Sequence, residues 1–357
     1  MWKEKFDVCA ISSDEERLKE FAEMEGIRYR RIPMKREISL FSDICSLFRL
    51  LWFFVNEKPY IVHANTPKAS LLSMVAAWIT RRPVRIYMCH GLRYQGTQGL
   101  LRKLLMWMER LSCACATEVI CVSRGCADVM VADGLCAKEK IKVVGYGSAG
   151  GVDMAWFDSE KVESQVRRDL GIPEEDFVFI FVGRLVGDKG VNELVNAFDR
   201  LCKVKEGIHL VLVGPTELVQ DPIIESTVSI IEHNPFIRSV GRQSDVRPYL
   251  KSSDAFVLPS YREGFGMVLI EAGSMGLPCI TTDITGCNEI IVEGQNGSIV
   301  PPRDADALFK KMKIWTEDKG QVAEMAGKAR HMVRERYEGQ KVRNLYFEMY
   351  KSLVHVT

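Results

Sequence analysis

No apolar run in this 357-residue sequence is long enough to cross a bilayer, for which roughly 20 residues are needed. The strongest candidate, residues 44–55 with Trp52, Phe53 and Phe54, is too short and is interrupted by Arg49. Charge of one sign is lacking too: 48 Lys and Arg against 47 Asp and Glu leave +1, which excludes a general nucleic-acid binder because nothing in the total attracts a polyanion. The eleven cysteines contain no set at zinc spacing, and most sit in apolar runs such as 119–122 and 278–280. They read as small buried hydrophobes of a reducing compartment. No Ser-His-Asp or Cys-His hydrolase motif is present, and no leader pattern is read at the N-terminus, so the expectation is a cytoplasmic protein without a metal site.

What is present is alternation. Strand-like segments at 7–11, 29–32, 61–64, 85–88, 118–122 and 141–144 alternate with helix-like ones at 15–25, 40–56, 69–80, 100–113 and 124–132. The plan repeats with strands at 177–182, 209–213, 237–240, 255–258, 279–281 and 298–300. Such alternation predicts parallel sheets covered by helices. The glycine-dense stretch 145–153 divides the halves, so the expected fold is α/β, two Rossmann-like doubly wound domains facing across a cleft. The first spans residues 1–150, the second 151–338, and a last helix within 339–357 is expected to cross back.

The segment 260–272 is the focus of the chemistry. It leaves the apolar run 255–258 and enters a helical stretch, with Gly264 and Gly266 flanking Phe265 where the helix should start. The amides of Phe265, Gly266, Met267 and Val268 then face whatever lies above them, and an anion is the natural guest. Glu263 and Glu271 stand at the two ends with no positive group assigned to either, free to accept from hydroxyls. The plain alternative is one capping carboxylate and one solvated one. A second focus is 181–190: Arg184 and Lys189 follow a strand end, and a cation before a helix opposes the dipole unless an anion lies between them. Pairing of these cations with Asp188 or Glu193 is the alternative. His90, followed by Gly91, leaves another strand end and is either structural or functional. Thr66 and Pro67 read as a helix start, beside Asn65 and Lys68. Asp304-Ala305-Asp306 resembles a metal-binding D-x-D but follows Pro301-Pro302 at a helix start, where a cap is the better reading.

The pair Glu263 and Glu271, with Gly264-Phe265-Gly266 between them, resembles the E-x7-E signature of family 4 retaining glycosyltransferases, which have the GT-B fold. Arg184, Lys189 and the His90-Gly91 step match that family as well. The resemblance runs over nearly the whole chain and implies specific roles. His90 and Glu263 would face the transferred sugar as catalytic residues. Arg184, Lys189 and the backbone of Gly264, Phe265, Gly266, Met267 and Val268 would hold the donor diphosphate, and Glu271 the ribose. Asn65 and Lys68 are candidate acceptor contacts. The donor would be a nucleotide sugar, most simply a UDP-sugar, and no metal or other cofactor is required. The acceptor would be a growing glycan, on a polyprenyl-diphosphate carrier as in capsule or surface-polysaccharide synthesis.

By comparison with the family, the first domain lacks the opening strand, loop and helix, so one sheet position should be empty. That departure keeps a non-catalytic partner subunit open as an alternative, and a sugar-nucleotide epimerase is a third reading on the same fold. Residues 100–110 mix Leu, Met and Trp107 with Arg102 and Lys103, the makeup of a helix that rests peripherally on an anionic inner leaflet. An ordinary core-packing helix is the alternative.

Overall fold

A computed structural model describes residues 5–35, 39–217 and 221–354. The chain divides into two compact units. The first holds the chain up to Val122, then Cys126–Val144 and the part from Asn344 onward; the second holds Ser123–Gly125 and Gly145–Arg343.

All twelve strands expected from the sequence are present. In the first unit they are β1 (Cys9–Ser12), β2 (Arg28–Arg31), β3 (Ile61–Ala64), β4 (Val84–Cys89), β5 (Glu118–Cys121) and β6 (Ile141–Lys142). All their pairings are parallel. They do not form the single sheet that the alternation implied. β1 and β2 make one sheet and β3-β4-β5-β6 another. No ladder joins the β1-β2 pair to the β3-β4-β5-β6 set among the described residues.

The second unit has the complete order. Its strands are β7 (Phe177–Val182), β8 (Ile208–Val213), β9 (Ile237–Gly241), β10 (Ala255–Leu258), β11 (Cys279–Thr282) and β12 (Gly297–Val300), arranged β12-β11-β10-β7-β8-β9. Every ladder is parallel. Strand β8 is buried at all six positions, as a central strand covered on both faces should be. Helix Val191–Cys202 supplies part of that cover by turning Val191, Leu194, Val195, Phe198 and Leu201 inward at helical spacing.

Counted from β7, the order of this sheet is 3-2-1-4-5-6, so its topological switch lies between β7 and β10. Ligands of such sheets bind outside the carboxyl ends of the strands at the switch.

Asp304 is a helix cap, as expected: its carboxylate accepts from the Ala307 amide at 2.8 Å at the start of helix Ala305–Glu317. Asp304→Ala should lower the free energy of unfolding by about 1 kcal/mol in urea titration; an unchanged midpoint would refute the cap.

Candidate active site

Two loops leave the switch. One follows β7 and carries Arg184 and Lys189; the other follows β10 and carries Ser260 to Gly266. They are held together by a close backbone approach. Gly190 adopts φ 70°, and a Cβ built there would lie 2.0 Å from the Pro259 carbonyl oxygen, so only glycine fits. The approach brings Lys189 Nζ to 2.5 Å from Glu263 Oε1, with the lysine side chain 22 % and the glutamate 15 % exposed. Ser260 Oγ donates to the same oxygen at 2.9 Å. The expectation that Glu263 has no positive neighbour is corrected: its carboxylate is the counterion of Lys189, across 74 residues of sequence.

The carboxylates proposed as alternative partners of the two cations are engaged elsewhere. Arg262 Nη2 meets Asp188 Oδ2 at 2.9 Å, and the Tyr261 hydroxyl donates to Glu193 Oε1 at 2.6 Å. Arg303 lies 4.5 Å over the Tyr261 ring. Arg184 is exposed and pairs with no carboxylate among the described residues. The second unit thus presents one bare guanidinium and one half-neutralised ammonium at the switch.

Helix Met267–Ser274 begins with Gly266 as its cap residue and without a side-chain cap. Two of the four amides expected to face an anion are used internally: Gly266 donates to the Gly286 carbonyl and Met267 to that of Phe265, both at 2.9 Å. The amides of Phe265 and Val268 have no acceptor among the described residues, the arrangement an anion would complete. The Gly286 loop is pressed close here, since a Cβ on Gly286 would lie 2.6 Å from the Gly264 carbonyl oxygen. The Phe265 ring is buried edge-on against Tyr337, with centroids 5.4 Å apart, which fixes the turn from behind. The Glu271 carboxylate has no hydrogen-bonding partner among the described residues, and burial raises its pKa.

The remaining candidates belong to the first unit. His90 follows β4 and is exposed, and desolvation lowers its pKa below the ordinary imidazole value. Asn65 is exposed after β3. Helix Pro67–Ile79 starts at Pro67 as expected, but Thr66 makes no side-chain cap bond. Lys68 is bound to Asp43 at 2.8 Å in a pair of which both members are mostly buried. Helix Gly99–Cys115 buries Leu105, Glu109 and Cys113 and leaves Leu100, Leu101, Leu104 and Trp107 outward.

Sequence reasoning passed over His63, which sits on β3 next to Ala64. Its Nδ1 shares a hydrogen bond with the Tyr350 hydroxyl. Its Nε2 is shielded from solvent with no partner among the described residues. The only signal was a histidine inside an apolar strand.

The families that match divide the chain in two: the Glycosyl transferase 4-like domain at residues 3–147 and Glycosyl transferases group 1 at residues 162–332. The capsular polysaccharide biosynthesis glycosyltransferase CapM of Staphylococcus aureus is 34% identical over 354 residues, covering 99% of this chain and 91% of that protein. The chain belongs to the group 1 glycosyltransferases. The UDP-Gal:alpha-D-GlcNAc-diphosphoundecaprenol alpha-1,3-galactosyltransferase of Escherichia coli is 28% identical to this glycosyltransferase, covering 88% of the chain and 81% of that enzyme. Among solved structures, a glycosyltransferase from Rickettsia africae superposes with a TM-score of 0.81 at 20% identity, covering 98% of this chain and 90% of that one. The HepE protein of Anabaena, crystallised with UDP, gives a TM-score of 0.80 at 20% identity, with 96% and 92% coverage. The fold is GT-B, two Rossmann-like α/β units.

Burial, with His90 as a secondary cause, pushes the His63 pKa down from 6.5 to about 4. The unfolded chain therefore binds the proton first. The stabilising contribution of neutral His63 is complete above pH 6.5 and is lost as pH falls through 4, at up to about 1.4 kcal/mol per pH unit. Urea unfolding of His63→Gln should show a flatter loss of stability over that window than the parent; an equal slope would mean the imidazole titrates normally.

Proposed function

We propose that this glycosyltransferase moves a sugar, with retention of anomeric configuration, from a UDP-sugar to a glycan carried on a polyprenyl diphosphate. The process it would serve is capsule or surface-polysaccharide synthesis, with the enzyme peripheral to the cytoplasmic face of the membrane. The observation that carries this reading is the likeness to CapM over nearly the full length of both chains. The E. coli galactosyltransferase supports the choice of donor and carrier, since its name specifies UDP-galactose and a diphosphoundecaprenol acceptor. An N-acetylgalactosaminyltransferase of Campylobacter jejuni, 26% identical over 293 residues, is likewise named for an undecaprenol-diphosphate acceptor.

The chemistry follows from where charge develops. Breaking the bond from sugar to UDP leaves negative charge on the departing phosphate and positive charge on the ring. Arg184, the Lys189 ammonium and the amides of Phe265 and Val268 meet the first. Lys189 has three protons, so it can keep Glu263 and still donate to a phosphate oxygen. In this reading Glu263, held this way, would accept from the sugar hydroxyls and supply negative potential beside the ring. Glu271, whose carboxylate has no partner among the described residues, would accept from the ribose. By resemblance to the family, His90 would also contact the transferred sugar. In this reading the departing phosphate takes the acceptor proton on the same face, so no separate base and no metal are required.

Release of UDP from a panel of UDP-sugars, with and without a polyprenyl-diphosphate-linked acceptor, tests the assignment. Glu263→Ala and Lys189→Ala should each lower turnover at least about tenfold, or roughly 1.4 kcal/mol in the barrier. Parental rates in both variants would remove the two residues from the mechanism, and the absence of any acceptor-dependent release would favour a non-catalytic subunit.

A further inference from the structure

Helix Leu40–Glu57 of the first unit lacks the polar outer face of a soluble surface helix. Its inner face buries Ser46, Leu50, Phe53 and Phe54. Its outer face is also apolar. Phe41 is 81%, Phe48 66% and Trp52 61% exposed, and Ile44 and Val55 are exposed as well. At 100° per residue these five positions fall within an arc of about 80°, opposite the buried set, and run about 21 Å along the helix. A continuous exposed apolar stripe of that length marks an interaction surface.

The charge around the stripe identifies the partner. Both carboxylates of the helix are engaged: Asp43 by Lys68 at 2.8 Å, and Glu57 at 2.8 Å by Arg28, a guanidinium it shares with Asp7. The helix's one cation, Arg49, pairs with no carboxylate among the described residues, and neither does Arg30 of the adjoining strand β2. Arg30 lies 5.8 Å over the Trp52 ring. These two arginines, with Phe48 and Trp52, line an open cavity of about 490 Å3 whose lining contains no acidic residue. Arg31 also lines it, but its guanidinium is held by Glu15 at 3.2 Å. A stripe of aromatic and aliphatic side chains beside unpaired guanidiniums matches an interface of acyl chain and phosphate.

We infer that the outer face of helix Leu40–Glu57 is a docking surface for an anionic phospholipid leaflet, with a lipid phosphodiester seated between Arg30 and Arg49 and the stripe from Phe41 to Val55 laid into the headgroup boundary. Neither the donor residues nor helix Gly99–Cys115 is part of this surface. The inference deepens the reading of a peripheral enzyme. Its test contains no nucleotide sugar, so its failure would leave the transferase assignment standing.

Flotation of the full chain with vesicles separates the outcomes. Phosphatidylcholine vesicles containing phosphatidylglycerol should carry the protein, less so as salt rises, and vesicles of phosphatidylcholine alone should not. Loss of a cation near an anionic surface weakens partition about fivefold, so Arg30→Ala combined with Arg49→Ala should weaken it about thirtyfold. Phe48→Ser with Trp52→Ser should release the protein at any salt. All four positions are exposed, and equal thermal midpoints would confirm that the variants fold. Unchanged binding by the double arginine variant overturns the proposal. So does release by Arg102→Ala with Lys103→Ala, which would move the contact to helix Gly99–Cys115. Stronger displacement by inorganic phosphate than by chloride at equal ionic strength would mark a site for a soluble anion and overturn it as well.

Discussion

The contact between Lys189 and Glu263 sets the character of the second unit's ligand face. Removing an ammonium and a carboxylate from most of their water is costly unless the geometry is close and the remaining lone pairs are used. Both conditions are met: the two groups touch at 2.5 Å, and Ser260 adds a second donor to the same oxygen. That geometry is imposed by the backbone, through Gly190 packed on Pro259. The sheet order places β7 and β10 side by side, so the loops leaving them meet there. The ion pair, the bare Arg184 and the two free amides at the head of helix Met267–Ser274 are all consequences of one topological switch.

Much of this was legible from the sequence, for reasons that differ by element. Strands such as Phe177–Val182 announce themselves because a parallel strand buried on both faces is a continuous apolar run. Asp304 was readable as a cap because Pro301-Pro302 and the apolar residues after it leave a helix start as the natural reading. The ion pair was not legible. Its members are 74 residues apart, and only the sheet order makes them neighbours. The same holds for Tyr261 with Glu193 and Arg262 with Asp188, which were weighed in the wrong combinations because sequence distance was the only guide. His63 was missed for the same reason: Tyr350, with which its Nδ1 shares a hydrogen bond, lies 287 positions away.

The two units also differ in the continuity of their sheets. The second has an uninterrupted six-stranded order, while the first has a pair of strands and a set of four with no ladder between them among the described residues. Side chains pack the first unit. Helix Pro67–Ile79 packs against both Leu40–Glu57 and Gly99–Cys115. Near the chain's other end, Phe6 meets Phe347 and Tyr350 edge-on at 6.0 and 6.3 Å.

The Gly190 contact bears on how such an enzyme can diverge. Because a main-chain carbonyl fills the space a Cβ would need, the spacing of the two loops is set by backbone atoms that every residue type at Pro259 would share. Variation at this corner is then confined to the side chains the loops carry, while the distance between their backbones stays a constant of the scaffold.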